Sequence, residues 1–118
     1  SHADLELLFA VNVRGIFNVS RAVASVMARQ KSGHIFNIAS VAGLTGWGDI
    51  AGYSASKFAV RGLSESLCRA LLPVGVKVTT LSPSWTDTDM AAHAPLARKE
   101  MLSPADLMQA IRFTMSLG

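Results

Sequence analysis

The chain has one cysteine, Cys68, among its 118 residues, so no internal disulfide can form. That fits a reducing, cytoplasmic setting. Charge is scarce at 16%, and 11 basic against 8 acidic side chains leave only +3. The basic residues are scattered, with no dense block interleaved with aromatics, so no nucleic-acid partner is expected. No apolar run reaches the length of a membrane span, and no stretch reads as a signal peptide, so no membrane partner is expected either. His2, His34 and His93 lack metal-ligand spacing and acidic companions, which argues against a metal site.

What the chain does have is apolar matter. Half of its residues are hydrophobic, enough for a real core. The length fits a single domain over residues 1–118. Residues 4 to about 30 read as a helix, with Leu5, Leu8, Phe9, Val13, Ile16, Phe17, Val23 and Met27 at helical spacing. Asp4 is its expected N-cap and Gly33 its stop. Residues 34–40 read as a short buried strand ending at Ser40. A glycine-rich loop around Trp47 follows, with Gly43, Gly46, Gly48 and Gly52. A second helix is expected from about residue 53 to 72, and a β-branched strand over 76–82, which Pro83 ends. Residues 84–102 read as a loop with a short helical piece. Ser103, Pro104 and Asp106 start a last helix.

Helix, strand, helix, strand, helix implies an α/β fold with a parallel strand pair and helices on the sheet. Two strands are few for a doubly wound parallel sheet. The expectation is therefore a partial sheet.

Tyr53 and Lys57 stand four apart, so they share a helical face. A phenol is a poor base at neutral pH, and a nearby ammonium favours its ionised form. Such a pair can pass a proton to or from a substrate oxygen. By itself it is also an ordinary surface pair. Ser40 lies thirteen residues before Tyr53, at a strand end, where open parallel sheets place ligands. Its hydroxyl can stabilise charge developing on a carbonyl oxygen; taken alone it reads as a turn serine. Asn12 breaks a strongly helical stretch, where its side chain competes for backbone hydrogen bonds, and Gly15 weakens the same place. It reads either as a functional site or as a kink with a satisfied core amide.

Together Asn12, Ser40, Tyr53 and Lys57 resemble the catalytic tetrad of short-chain dehydrogenases/reductases. The surrounding text matches as well: Val-Asn-Val-Arg-Gly ending at Gly15, Gly-His-Ile-Phe-Asn-Ile-Ala-Ser ending at Ser40, Tyr-Ser-Ala-Ser-Lys ending at Lys57, and Ser-Pro-Ser-Trp-Thr-Asp-Thr-Asp-Met ending at Met90. The resemblance implies a Rossmann-like fold and an oxidoreductase using NAD or NADP on an alcohol or ketone. Tyr53 would be the general acid or base, and Ser40 would polarise the substrate oxygen. Lys57 would assist Tyr53 and hold the cofactor ribose. Asn12 would hold a water linking Lys57 to solvent. Pro83 and Thr88 would line the nicotinamide site. Trp47, Trp85 and Met90 would flank the substrate, with Ile50 and Met101 beside them. A homodimer or homotetramer is implied through the first two helices.

Two departures from the family pattern stand out. Ser84 occupies a usual glycine position, which puts the local backbone path in question. No Gly-rich phosphate-binding turn precedes Asn12, so the chain reads as an internal segment of a longer enzyme, inactive by itself. The alternative to catalysis is a folded remnant that serves as an oligomerisation or interaction module. An epimerase or dehydratase of the extended branch fits less well, given the Ser40–Tyr53 spacing and the Pro83 segment.

Overall fold

A computed structural model describes residues 1–118. The chain forms two compact units, Ser1–Ser82 and Pro83–Gly118. Each is described by itself.

The first unit opens with one helical run, His2–Gln30. It comprises α1 (His2–Phe9), a π-helical turn (Ala10–Gly15) and α2 (Ile16–Gln30). Its start and stop both differ from the sequence expectation. Ser1 is the N-cap, its Oγ accepting the Asp4 N–H at 3.2 Å, and Asp4 closes a capping box as the third helical residue. The helix ends before Gly33. Lys31 turns left-handed at φ 54°, and the Ser32 N–H bonds the Met27 carbonyl at 3.3 Å. That closure satisfies the last turn without a glycine. The run is also long and apolar enough, by length and composition, to cross a membrane. The expectation of no such run missed this because Asn12, Arg14 and Asn18 break the apolar text. In the fold, Val23, Ala24 and Met27 from this run pack into the core against the sheet.

β1 (Gly33–Ile38) and β2 (Val76–Leu81) pair in parallel, from Gly33 opposite Val76 to Ile38 opposite Leu81. Both are shorter than the sequence implied. Pairing runs out after the Ala39 N–H reaches the Leu81 carbonyl at 2.7 Å, so Ser40 and Ser82 lie past the strands. The connection is α3 (Ala51–Leu71), which starts two residues before Tyr53. Ala24, Ile35, Leu71 and Val76 form the core. Val60 and Val76 are fully buried; each such burial stabilises by about 1.5–3 kcal/mol.

The buried stripe of α3 is Ser56, Val60 and Ser64, at four-residue intervals. Ser64 Oγ donates to the Val60 carbonyl at 2.7 Å and accepts Asn37 Nδ2 at 2.8 Å, so the buried Asn37 is anchored to the helix. After α3 the chain reverses at Gly75, φ 82°, where a Cβ would stand 2.6 Å from the Lys31 carbonyl oxygen. Both the angle and the close approach demand glycine. On β1, His34 stacks on Phe36 at 4.0 Å and bonds Thr79 Oγ1 at 2.8 Å. Partial desolvation, with the Lys77 charge adding to it, holds the imidazole below its usual pKa.

The second unit has more order than a loop with one helical piece. Short 3-10 turns cover Asp89–Ala91 and Arg98–Glu100. A parallel bridge joins Thr86 to Leu102, with the Asp87 N–H on the Leu102 carbonyl at 2.7 Å and the Leu102 N–H on the Trp85 carbonyl at 2.9 Å. Arg98 pairs with Asp87 at 3.1 Å across the same segment. α4 (Pro104–Ser116) begins as read: Ser103 caps it, Pro104 fills the first position, and Asp106 completes the capping box. Ser84 does not adopt a positive φ, since Lys31 is the one non-glycine residue that does. Serine therefore carries no left-handed strain at that position.

Candidate functional site

Tyr53 and Lys57 lie in the first two turns of α3. Lys57 Nζ stands 5.6 Å from the centroid of the Tyr53 ring, over its face. The same ammonium donates to the carbonyl of Ile38, the last residue of β1, at 3.3 Å. The strand end thus fixes the lysine head, and the helical spacing fixes the tyrosine beside it. Partial burial lowers the Lys57 pKa, because desolvation disfavours the charged amine.

Ser40 follows the strand in extended backbone and caps the short turn Val41–Gly43. Its Oγ accepts the Ala42 N–H at 3.1 Å. The hydroxyl proton is left free to donate. Ser40 makes no hydrogen bond to Tyr53; the two are related through backbone packing. A Cβ at Gly43 would stand 2.7 Å from the Lys57 carbonyl oxygen, so the Ser40 turn rests directly on the α3 backbone. Gly43 is a positioning residue that the sequence reading passed over. Its signal was a glycine three residues after the strand-end serine.

Asn12 lies in the π turn, half-buried. π turns insert an extra residue into the helical ladder and often mark functional sites. Asn12 Nδ2 donates to Ser56 Oγ at 3.2 Å, and Ser56 Oγ donates to the Tyr53 carbonyl at 2.7 Å. Asn12 therefore reaches the start of α3 through a serine that sequence reasoning did not select. Beside it, Ser54 Oγ is buried with no partner.

Trp47, in the loop before α3, is 57% exposed. In the second unit Trp85 and Met90 are exposed, Pro83 is half-buried, and Thr88 donates through Oγ1 to the Thr86 carbonyl at 3.4 Å. The first unit thus sets Lys57 directly against Tyr53, links Asn12 to the Tyr53 backbone through Ser56, and carries Ser40 on the turn that rests on α3.

Known proteins resemble the chain in sequence and in fold. The family model described as short chain dehydrogenase matches residues 1–99. An uncharacterized oxidoreductase of Staphylococcus aureus (strain USA300) is 37% identical over 114 residues, covering 96% of this chain and 49% of the relative. The chain therefore spans about half the length of the curated relatives it matches. Among solved structures, a betaketoacyl-[ACP] reductase from Bacteroides thetaiotaomicron superposes with a TM-score of 0.80 at 40% identity, over 94% of this chain and 47% of that one. A gluconate 5-dehydrogenase from Burkholderia cenocepacia J2315, in complex with NADP and tartrate, gives a TM-score of 0.76 at 35% identity, over 78% of this chain and 36% of that one. The two-stranded α/β unit is part of the Rossmann-type fold of these neighbours. By sequence and by fold, the chain belongs to the short chain dehydrogenase family.

Proposed function

We propose that the protein is an oxidoreductase that moves a hydride between NAD or NADP and an alcohol or ketone, with Tyr53, Lys57, Ser40 and Asn12 as its working residues. The observation that carries this reading is the Lys57 ammonium, held on the Ile38 carbonyl and over the Tyr53 ring. Tyr53 gives its hydroxyl proton to a carbonyl oxygen in reduction and takes it back in oxidation. The nearby positive charge favours the ionised phenol during that exchange. Ser40 donates its free proton to the same substrate oxygen as charge develops there.

The donor set fits a nicotinamide cofactor. An ammonium has three donors, and the protein occupies one of those on Lys57, leaving two for a pair of ribose hydroxyls. When bound, the nicotinamide supplies or accepts the hydride. Pro83 and Thr88 contact that ring by family resemblance. Trp47, Trp85 and Met90 are assigned to the substrate by the same resemblance, and each is an exposed apolar side chain. Asn12 orders a water that links Lys57 to solvent.

A homodimer or homotetramer accompanies this reading, supported by exposed Val11, Phe17, Val19 and Phe58 on the long helices. The same surface supports the second reading, a non-catalytic interaction module. A cytoplasmic location is in keeping with a lone free cysteine.

The test is NADH and NADPH oxidation by the intact protein against a panel of ketones and aldehydes, with Tyr53→Phe in parallel. Turnover that Tyr53→Phe abolishes supports the reading. Equal turnover in the variant overturns it, and a folded oligomer with no turnover on any carbonyl favours the interaction module.

A further inference from the structure

In the second unit every residue from Ser84 to Thr88 is tied by a hydrogen bond. Leu102 lies between two of them: its N–H donates to the Trp85 carbonyl at 2.9 Å, and its carbonyl accepts the Asp87 N–H at 2.7 Å. The two threonines bond back along their own segment, Thr86 Oγ1 to the Ser84 carbonyl at 3.2 Å and Thr88 Oγ1 to the Thr86 carbonyl at 3.4 Å. The returning chain is fixed to the same place. The Met101 N–H donates to the Arg98 carbonyl at 3.1 Å, and the Arg98 guanidinium reaches the Asp87 carboxylate at 3.1 Å. Asp87 thus meets the returning chain twice, by backbone at Leu102 and by side chain at Arg98. Two ties on one residue fix the direction in which the chain leaves it toward Thr88. The Thr88 hydroxyl bond is the longest of the set, beyond the usual O–H···O range of about 2.5–3.0 Å. That hydroxyl is the one a ligand can take over at least cost.

We propose that Asp87 and Arg98 are positioning residues whose ion pair holds Thr88 for the nicotinamide end of the cofactor. The inference deepens the proposed function and rests on its placing of Thr88 at that ring. The pair acts through the backbone between Asp87 and Thr88, and not by touching the cofactor. Asp87 is half-buried and Arg98 exposed, and pairs of that kind stabilise weakly, so breaking this one changes binding a few-fold. The sign of the change separates positioning from plain charge attraction. The cofactor phosphates are anionic. If Arg98 attracted them directly, removal of the Asp87 charge would tighten binding. As a clamp, the pair weakens binding when either partner is lost. Lys99 is the control, because it stands next to Arg98 and makes no ion pair.

The experiment titrates NADH and NADPH into the intact protein and into Asp87→Asn, Arg98→Gln, Arg98→Lys, Lys99→Gln, Thr88→Ala and the Arg98→Gln/Thr88→Ala pair, by calorimetry. Amide exchange at Asp87 and Leu102, and cofactor KM against kcat, are read on the same proteins. Asp87→Asn and Arg98→Gln are each expected to raise Kd about two- to fivefold, to speed exchange at both amides, and to move KM more than kcat. Arg98→Lys should recover most of the lost affinity, since it keeps the cation. Lys99→Gln should stay within about twofold of the parent. The double variant should bind no worse than Thr88→Ala alone. Asp87→Asn keeps the side-chain volume and Arg98→Gln alters an exposed position, so both variants keep the fold. Tighter binding by Asp87→Asn, an equal loss in Lys99→Gln, or multiplicative losses in the double variant would each overturn the proposal. Nucleotide binding that Asp87→Asn and Arg98→Gln leave unchanged removes the inference alone. No binding of either nucleotide by the parent overturns the underlying reading and the inference with it.

Discussion

The two units of the chain are held together in different ways. Ser1–Ser82 has a paired sheet, four core residues from four different elements, and a helix with Ser56, Val60 and Ser64 sealed from water. Pro83–Gly118 buries only Ala91 and relies on turns, one strand-like bridge, an ion pair and a capped helix. Apolar burial is non-directional and leaves a periodic trace in sequence. Backbone hydrogen bonds between irregular segments leave almost none. The first unit is therefore sensitive to volume as well as to its buried serine and asparagine pairs, while the second rests on single exposed hydrogen bonds.

That contrast can be broken first at the chemistry. Tyr53→Phe is expected to lower turnover by about 10²–10⁴-fold. Met90→Ala, at an 84% exposed position of the second unit, should change it far less. Steady-state kinetics on both variants decide whether proton transfer belongs to the first unit. A comparable loss at Met90 would erase the distinction.

Volume sensitivity is the next test. Gly43→Ala forces a Cβ against the Lys57 carbonyl and should cost about 1–3 kcal/mol, read by denaturant unfolding. Gly46→Ala and Gly48→Ala meet nothing within 4 Å and should stay within about 0.5 kcal/mol of the parent. Equal costs at all three positions would mean that the Ser40 turn does not rest on α3.

Hydrogen-bond sensitivity in the second unit is smaller but specific. Ser103→Ala removes the cap of α4 and should cost that helix about 1 kcal/mol, seen as faster amide exchange over its first turn. The Asp106 pKa is lowered by its hydrogen bonds to the Ser103 backbone and then hydroxyl. A depressed carboxylate stabilises above its unfolded value of 3.8 and loses that support as pH falls through the folded value. The first turn of α4 should accordingly fray below pH 3.8 in the parent, and show no such step in Asp106→Asn.

The smallest expected effect concerns Lys57. Its folded pKa lies below the free value of 10.5, so between the two the unfolded chain binds more protons. Stability in that window rises with pH. The Tm of the parent relative to Lys57→Met should climb toward pH 10.5, and a flat difference would mean the ammonium is not desolvated.

Legibility in the sequence follows the same division. The two helices and two strands of the first unit were readable because apolar residues recur at helical or β spacing. Their ends were not, since Ser1 and Lys31 act through local hydrogen bonds and a left-handed turn rather than through pattern. Tyr53 and Lys57 were readable from their spacing, and Asn12 from its misfit in a helix. The π turn that accommodates Asn12 was not, because low propensity marks a place without naming its geometry. Ser56 was not legible because a buried serine that bridges Asn12 and the Tyr53 carbonyl leaves no apolar period. In the second unit, Thr86 and Leu102 meet across sixteen residues with no periodic cue.

The open space around Gly46 and Gly48 has a consequence for how such a loop changes over time. Gly43 ties the beginning of that loop to the lysine backbone, but a few residues later the chain touches nothing that would resist a new side chain. Trp47 projects from this free stretch. Side chains can be added there without moving the Lys57 backbone, and under the proposed function that would alter what the loop meets while Tyr53 and Lys57 keep their geometry. Variation is cheap in one half of the loop and resisted in the other, and the boundary falls between Gly43 and Gly46.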